Sequence, residues 1–165
     1  MRWEAFEETL SPHYYLDYCR YINNEQKLVA KEKALTMAGN RDSIGEAIYF
    51  LDEIQEYALL SDFLLENTQN LNDVHYSFLR PLSKRLAANG YGLAATVLRR
   101  SLVEGILNKA QSKYYKYAIS DLKLAKDYSH HVTDWRGIVD HTTFVDELRH
   151  AHPRKMAFWT QIDDK

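Results

Sequence analysis

The sequence predicts an all-α fold, with seven to nine helices arranged as stacked antiparallel hairpins in a single domain over residues 1–165. Three observations carry this expectation. Apolar residues recur at spacings of three and four through most of the chain, which is the period of a helix with one buried face. Ser, Asn and Gly punctuate that pattern at intervals suited to helix starts and stops. Glycine and proline are scarce, six and three in 165 residues, which disfavours turn-rich β folds and the glycine-rich loops of βαβ folds.

The elements follow in order. Ser11-Pro12 sets a capping residue before a proline at the first helical position, and the Tyr- and Leu-rich segment after it stops at Asn23-Asn24. Residues 25–38 read as a polar-rich helix ending in a left-handed cap at Gly39-Asn40. Ser43 and Glu46 have the spacing of a capping box. Ile44, Ala47, Ile48, Leu51 and Ile54 then repeat on one face. Residues 44–66 form one long helix or two separated near Ser61-Asp62. Another helix covers residues 73–88 and ends at Asn89-Gly90, with Pro81 expected to start or kink a segment because it lacks the amide donor.

The second half is more regular. In residues 91–108 the apolar set is Tyr91, Ala94, Ala95, Leu98, Leu102, Ile106 and Leu107, and Arg99, Arg100, Glu104 and Asn108 are placed on the opposite side. Ser112 is expected to cap a helix that buries Tyr115, Ala118, Ile119, Leu122 and Ala125. The same helix exposes Lys113, Lys116, Ser120, Lys123 and Asp127, with the three lysines on one stripe. Residues 130–137 form a loop or short helix around Trp135. A helix over residues 142–150 ends near Pro153, and a last turn or two carries Phe158 and Trp159. These two rings and Leu148 are expected to close the core, since the final unit of a stacked array must cover its predecessor.

Composition narrows the functional classes. With 45% hydrophobic and 27% charged residues the chain can build a core and is not of disordered type. Twelve tyrosines suit half-buried faces and partner surfaces alike. A single cysteine, Cys19, leaves no intramolecular disulfide and no multi-thiolate zinc site, and fits a reducing, cytoplasmic setting. No apolar run approaches the roughly 20 residues that span a bilayer, so no membrane partner is expected. Charge is unevenly spread. Residues 1–90 hold nine Lys and Arg against fourteen Asp and Glu, whereas residues 91–155 hold eleven against seven.

Three stretches, TVLRRSLVEGIL at 96–107, SKYYKYAISDL at 112–122 and LRHAHPRKMAFW at 148–159, resemble the end of an uncharacterised bacterial family. The family looks like tetratricopeptide-type helical repeats, and it is similar to the C-terminal part of some proteins associated with SWIM zinc fingers. The resemblance covers about residues 91–160 and implies a right-handed helical-repeat array with a binding role. It implies no reaction. The SWIM finger needs several cysteines, so its zinc function does not carry over. Helix starts near residues 73, 91 and 112 agree with a helix-pair repeat.

Candidate chemistry is sparse. Five of the seven histidines lie late in the chain, at His130, His131, His141, His150 and His152, and with Asp134 or Asp140 they are candidate metal ligands. His150 and His152 are two apart, which points them away from each other on a helix, and no ligand-spaced pair exists. Cys19 beside Tyr18 and near His13 reads as a small core residue. No catalytic residue, metal or cofactor is assigned. The better functional set is basic: Arg99, Arg100, Lys113, Lys116, Lys123, Arg149, Arg154 and Lys155, with Tyr114, Tyr117 and Trp159 interleaved for stacking. The structural counter-reading pairs Arg99 or Arg100 with Glu104 or Asp121, and uses Arg154 to cap a helix end. The expected function is a non-enzymatic protein-binding or scaffolding module. A nucleic-acid-associated accessory protein stands second and an enzyme of unrecognised type third.

Overall fold

The computed structural model describes residues 2–164, and among these every regular element is helical. Ten α-helices and two 3-10 turns are present among the described residues, more than the seven to nine helices expected. The excess is a short helix that precedes Ser11. The 44–66 segment forms two helices, one of the expected alternatives, with the break earlier than Ser61-Asp62. The chain divides into two compact units, residues 1–63 and 64–165.

The first unit contains α1 (Arg2–Thr9), α2 (Pro12–Cys19), α3 (Asn24–Gly39), α4 (Ile44–Glu53) and the start of α5 (Tyr57–Glu66). Pro12 opens α2 behind Ser11 as expected. Asn23 does more than stop a helix. Its side chain accepts the Gln26 amide while Gln26 Oε1 accepts the Asn23 amide, at 2.9 and 3.0 Å, so the capping box sits here. At Ser43 the position is a cap but the serine side chain makes no capping bond. Nor does α3 end in a left-handed residue: Asn40 has φ −93°. The break after α4 falls at Gln55, with φ +59°, rather than at Ser61-Asp62. The core gathers Phe6, Leu10, Tyr15 and Phe50 around Ala30, Ala34, Ala38 and Ala47. The three alanines of α3 lie one turn apart, so large rings can pack close to its backbone.

The second unit contains the 3-10 turn Thr68–Asp73, α6 (Tyr76–Ala88), α7 (Gly92–Asn108), the 3-10 turn Ser112–Tyr114, α8 (Tyr115–Ser129), α9 (His141–Ala151) and α10 (Met156–Asp163). Helix α6 begins at Tyr76 and runs through Pro81 without ending. It terminates where expected. Gly90 is left-handed at φ +88°, and the Tyr91 and Gly90 amides donate to the Leu86 and Ala87 carbonyls at 2.8 and 3.2 Å, the bonding of a Schellman cap. Ser112 does not cap α8, which is entered through the 3-10 turn with Tyr114 at the cap position.

Helix α7 is the centre of this unit. It packs against α6 and the turn Thr68–Asp73, and most extensively against α8. Connections of a few residues make sequential helices run antiparallel. Flanked in this way, α7 is buried from Ala94 through Val103 on all sides, whereas the sequence suggested one apolar face. The five positions of α8 expected inside are all buried, and the five expected outside are all exposed. Leu148, Phe158 and Trp159 close this core against Val103, Leu107, Tyr115 and Ile119.

Candidate functional site

The eight basic candidates fall into different settings. Arg99 and Arg100 are buried, at 3% and 4% exposure, and therefore offer nothing to a partner's surface; the two-sided burial of α7 is the cause. Lys113, Lys116 and Lys123 are exposed. Lys113 Nζ lies 4.9 Å from the Tyr114 ring and Lys116 Nζ 5.0 Å from the Tyr117 ring. Arg149 pairs with Asp163 at 2.7 Å and covers the Trp159 ring at 4.2 Å. Arg154 is exposed in the turn before α10, and the half-buried Lys155 stands at the cap of that helix. Trp159 is not a stacking surface. Its ring is buried and its indole N–H donates to the His152 carbonyl at 2.8 Å.

The second unit carries a cleft of about 580 Å³ between the turn Thr68–Asp73 with the start of α6, and the end of α7 with the start of α8. Leu71, Leu79, Leu102 and Ile106 give it an apolar floor, and His75, Tyr76, Lys109, Gln111, Tyr114 and Tyr117 form the rim. Gly105 allows this shape. A Cβ there would come within 3.1 Å of Asn72 Oδ1, which already receives the Ser101 hydroxyl at 3.1 Å. Helix α7 and the turn can thus approach closely beneath the cleft.

One wall of the cleft is electrostatic. Asp121, 1% exposed, accepts Arg99 Nη1 at 2.6 Å and Arg80 Nη2 at 2.8 Å. The Arg80 Nε lies 3.2 Å from Asp121 Oδ1, completing a two-pronged pair. Arg99 Nη2 also donates to the Arg80 carbonyl at 3.1 Å. Arg80 itself is half-buried, its guanidinium carbon 5.1 Å from the Tyr76 ring centre and 5.4 Å from that of Tyr117. Two guanidinium groups thus share one carboxylate, and the trio carries a net positive charge. The sequence leaves Arg99 or Arg100 to pair with Glu104 or Asp121; the structure pairs Arg99 with Asp121 and brings in Tyr76, Arg80 and Lys109, which lie outside the expected set. The available signal was Asp121 itself, a carboxylate in phase with Ala118 and Leu122 on the buried stripe, which calls for a cationic partner.

A second buried cation fastens the loop before α9. Arg100 Nη1 donates to the Val139 carbonyl at 2.8 Å, and its guanidinium carbon lies 5.0 Å from Trp135 and 4.6 Å from Phe144. Burial pulls Arg100 down to about 10, against the opposing pull of Asp140, Glu104 and Glu147. Burial and the neighbouring Arg100 together push His141 down to about 4, so the ring is neutral. Asp140 caps α9 by accepting the Thr143 amide at 2.8 Å, and that bond holds its carboxyl below the usual range. The late histidines do not converge. His150 Nδ1 sits 2.7 Å from the Asp146 carbonyl within its own helix, and among the described residues no three His, Cys, Asp or Glu side chains come together as a metal site. No helix among these residues is long and apolar enough to cross a membrane.

A family of unknown function (DUF6880) matches residues 1–161. The chain belongs to that family. Membership extends over nearly the whole chain, beyond the 91–160 segment that carried the resemblance in the sequence. No curated protein and no solved structure matches this chain, so the comparisons bring no support to a likeness with tetratricopeptide repeats or SWIM-associated proteins.

Proposed function

We propose that this family member is a non-enzymatic protein-binding module, and that its second unit takes a peptide segment of a partner in the cleft between α6, α7 and α8. The observation that carries the reading is the cleft rim. Tyr76, Tyr114 and Tyr117 stand there with 54%, 39% and 44% exposure above an apolar floor, a combination of anchoring area and polar tips suited to recognition. The imidazole on the rim supports binding rather than catalysis. His75 Nδ1 accepts the Ser77 amide at 3.2 Å as the cap of α6, which ties it to a structural task. Tetratricopeptide-like right-handed stacking, a bacterial source and a cytoplasmic setting belong to this proposal and rest on the sequence alone.

A second reading, a nucleic-acid-associated accessory role, draws on Lys113 and Lys116 lying against exposed tyrosines, since paired lysine and ring surfaces serve phosphate and base together. Selection of displayed random peptides on the immobilised chain tests both. Peptides should enrich on the parent and be lost on the Tyr76→Ala/Tyr117→Ala variant, whose exposed rings can be removed without opening the core. An empty selection, or one indifferent to that variant, overturns the protein-binding reading. Tight, steeply salt-dependent binding of a single-stranded uridine oligonucleotide assigns the second role instead.

A further inference from the structure

We infer that the segment taken by this cleft is acidic, with a carboxylate docked at Arg80 and an adjoining aliphatic or aromatic side chain on the leucine floor. The inference rests on the protein-binding reading and names its ligand chemistry. Asp121 is the carboxylate shared by Arg80 and Arg99, and Arg99 is closed off from solvent. The surplus charge of the trio is therefore accessible only through Arg80. Both prongs that Arg80 gives Asp121 come from Nε and Nη2, which leaves its Nη1 amino group to a ligand. Tyr76 and Tyr117 lie close to this guanidinium and displace water from it, which strengthens its attraction for an anion.

The remaining lining agrees with a peptide. Lys109 adds a second cation, and Asn72 and Gln111 carry amides that can pair with a peptide backbone. A nucleic acid strand fits less well. Leu71, Leu79, Leu102 and Ile106 offer an apolar floor for which a sugar–phosphate chain has no counterpart. A segment alternating Glu with Leu would satisfy both surfaces, because successive side chains of an extended peptide point to opposite sides.

Fluorescence anisotropy of the full chain with a labelled peptide of alternating Glu and Leu, and with its counterpart bearing Gln for Glu, tests this. The acidic peptide should bind roughly tenfold more tightly than the Gln counterpart. Arg80→Gln should abolish that preference, and because it leaves Asp121 with Arg99 the buried pair is kept. Lys109→Glu, at an exposed position that cannot affect the core, should weaken the acidic peptide and spare the Gln counterpart. Equal binding of the two peptides, lost on Tyr76→Ala/Tyr117→Ala, overturns the acidic preference while the peptide-binding reading stands. No binding of the acidic peptide overturns the inference as well, and with an empty display selection the parent reading falls too. A uridine oligonucleotide that displaces the acidic peptide and outbinds it shows the occupant to be nucleic acid.

Discussion

Asp121→Asn is the most informative single perturbation of this fold. The substitution keeps the volume and removes the charge that holds two guanidinium groups. Arg80, with a quarter of its side chain exposed, can turn toward water. Arg99 cannot, since it is 3% exposed and its Nε has no partner to fall back on. Breaking a buried pair from one side costs about 3–5 kcal/mol, because the surviving charge is left uncompensated. At this chain length that corresponds to a fall in Tm of roughly 6–20 °C. Urea unfolding followed by far-ultraviolet circular dichroism measures it, with an unchanged m value confirming that the loss is one of stability. The double variant Arg99→Met/Asp121→Leu should recover most of the loss, since apolar replacements of a buried pair are often tolerated. A loss under about 1 kcal/mol in Asp121→Asn would refute the reasoning, and so would a double variant no more stable than the single one.

Other expectations concern separate parts of the chain. Trp159→Ala should cost about 3–5 kcal/mol through loss of a buried ring, whereas Arg154→Ala with Lys155→Ala should shift stability by about 1 kcal/mol or less; chemical denaturation of both decides whether the end of the chain is a core cap. His141, with its folded pKa pushed from 6.5 to about 4, contributes stability that is complete above 6.5 and is lost as pH falls from there toward 4, because the unfolded chain takes the proton first. The parent should accordingly lose more stability than His141→Gln between pH 7 and pH 5, and a nuclear magnetic resonance titration of the ring reports the folded value directly. Gly90→Ala should cost about 1–2 kcal/mol for forcing a side chain into left-handed backbone, with no steric contribution since nothing lies within 4 Å of the added Cβ; an unchanged midpoint in urea would contradict the cap assignment.

Helix α8 shows what a periodic pattern alone can decide. Tyr115, Ala118, Ile119, Leu122 and Ala125 sit inside and Lys113, Lys116 and Lys123 outside, because this helix is covered on one side only. The cap at Asn89-Gly90 was legible for an equally local reason, since left-handed backbone selects glycine. Ser43 holds the cap position of α4 without a side-chain bond, whereas Asn23 and Gln26 close a capping box on α3; the spacing permits both, and side-chain geometry at each helix start decides. The break at Gln55 carried no residue signal, for neither Gly nor Pro stands there.

The sequence by itself determined that the chain is helical, where most helices lie, and that Leu148, Phe158 and Trp159 belong to the core. Each of those follows from interactions along one helix or from the demand to bury large apolar groups. Only the tertiary structure decided the fate of Arg99 and Arg100, which sequence periodicity placed on an outer face. Packing α7 between α6 and α8 removes that face from water; Asp121 then pairs with Arg99, and the Val139 carbonyl with the Trp135 and Phe144 rings receives Arg100. The cleft is likewise tertiary, since Arg80 reaches Asp121 from 41 residues away and lies against the Tyr117 ring. A period of three or four residues registers which side of a helix is apolar. It holds no information on how many neighbours a helix will have.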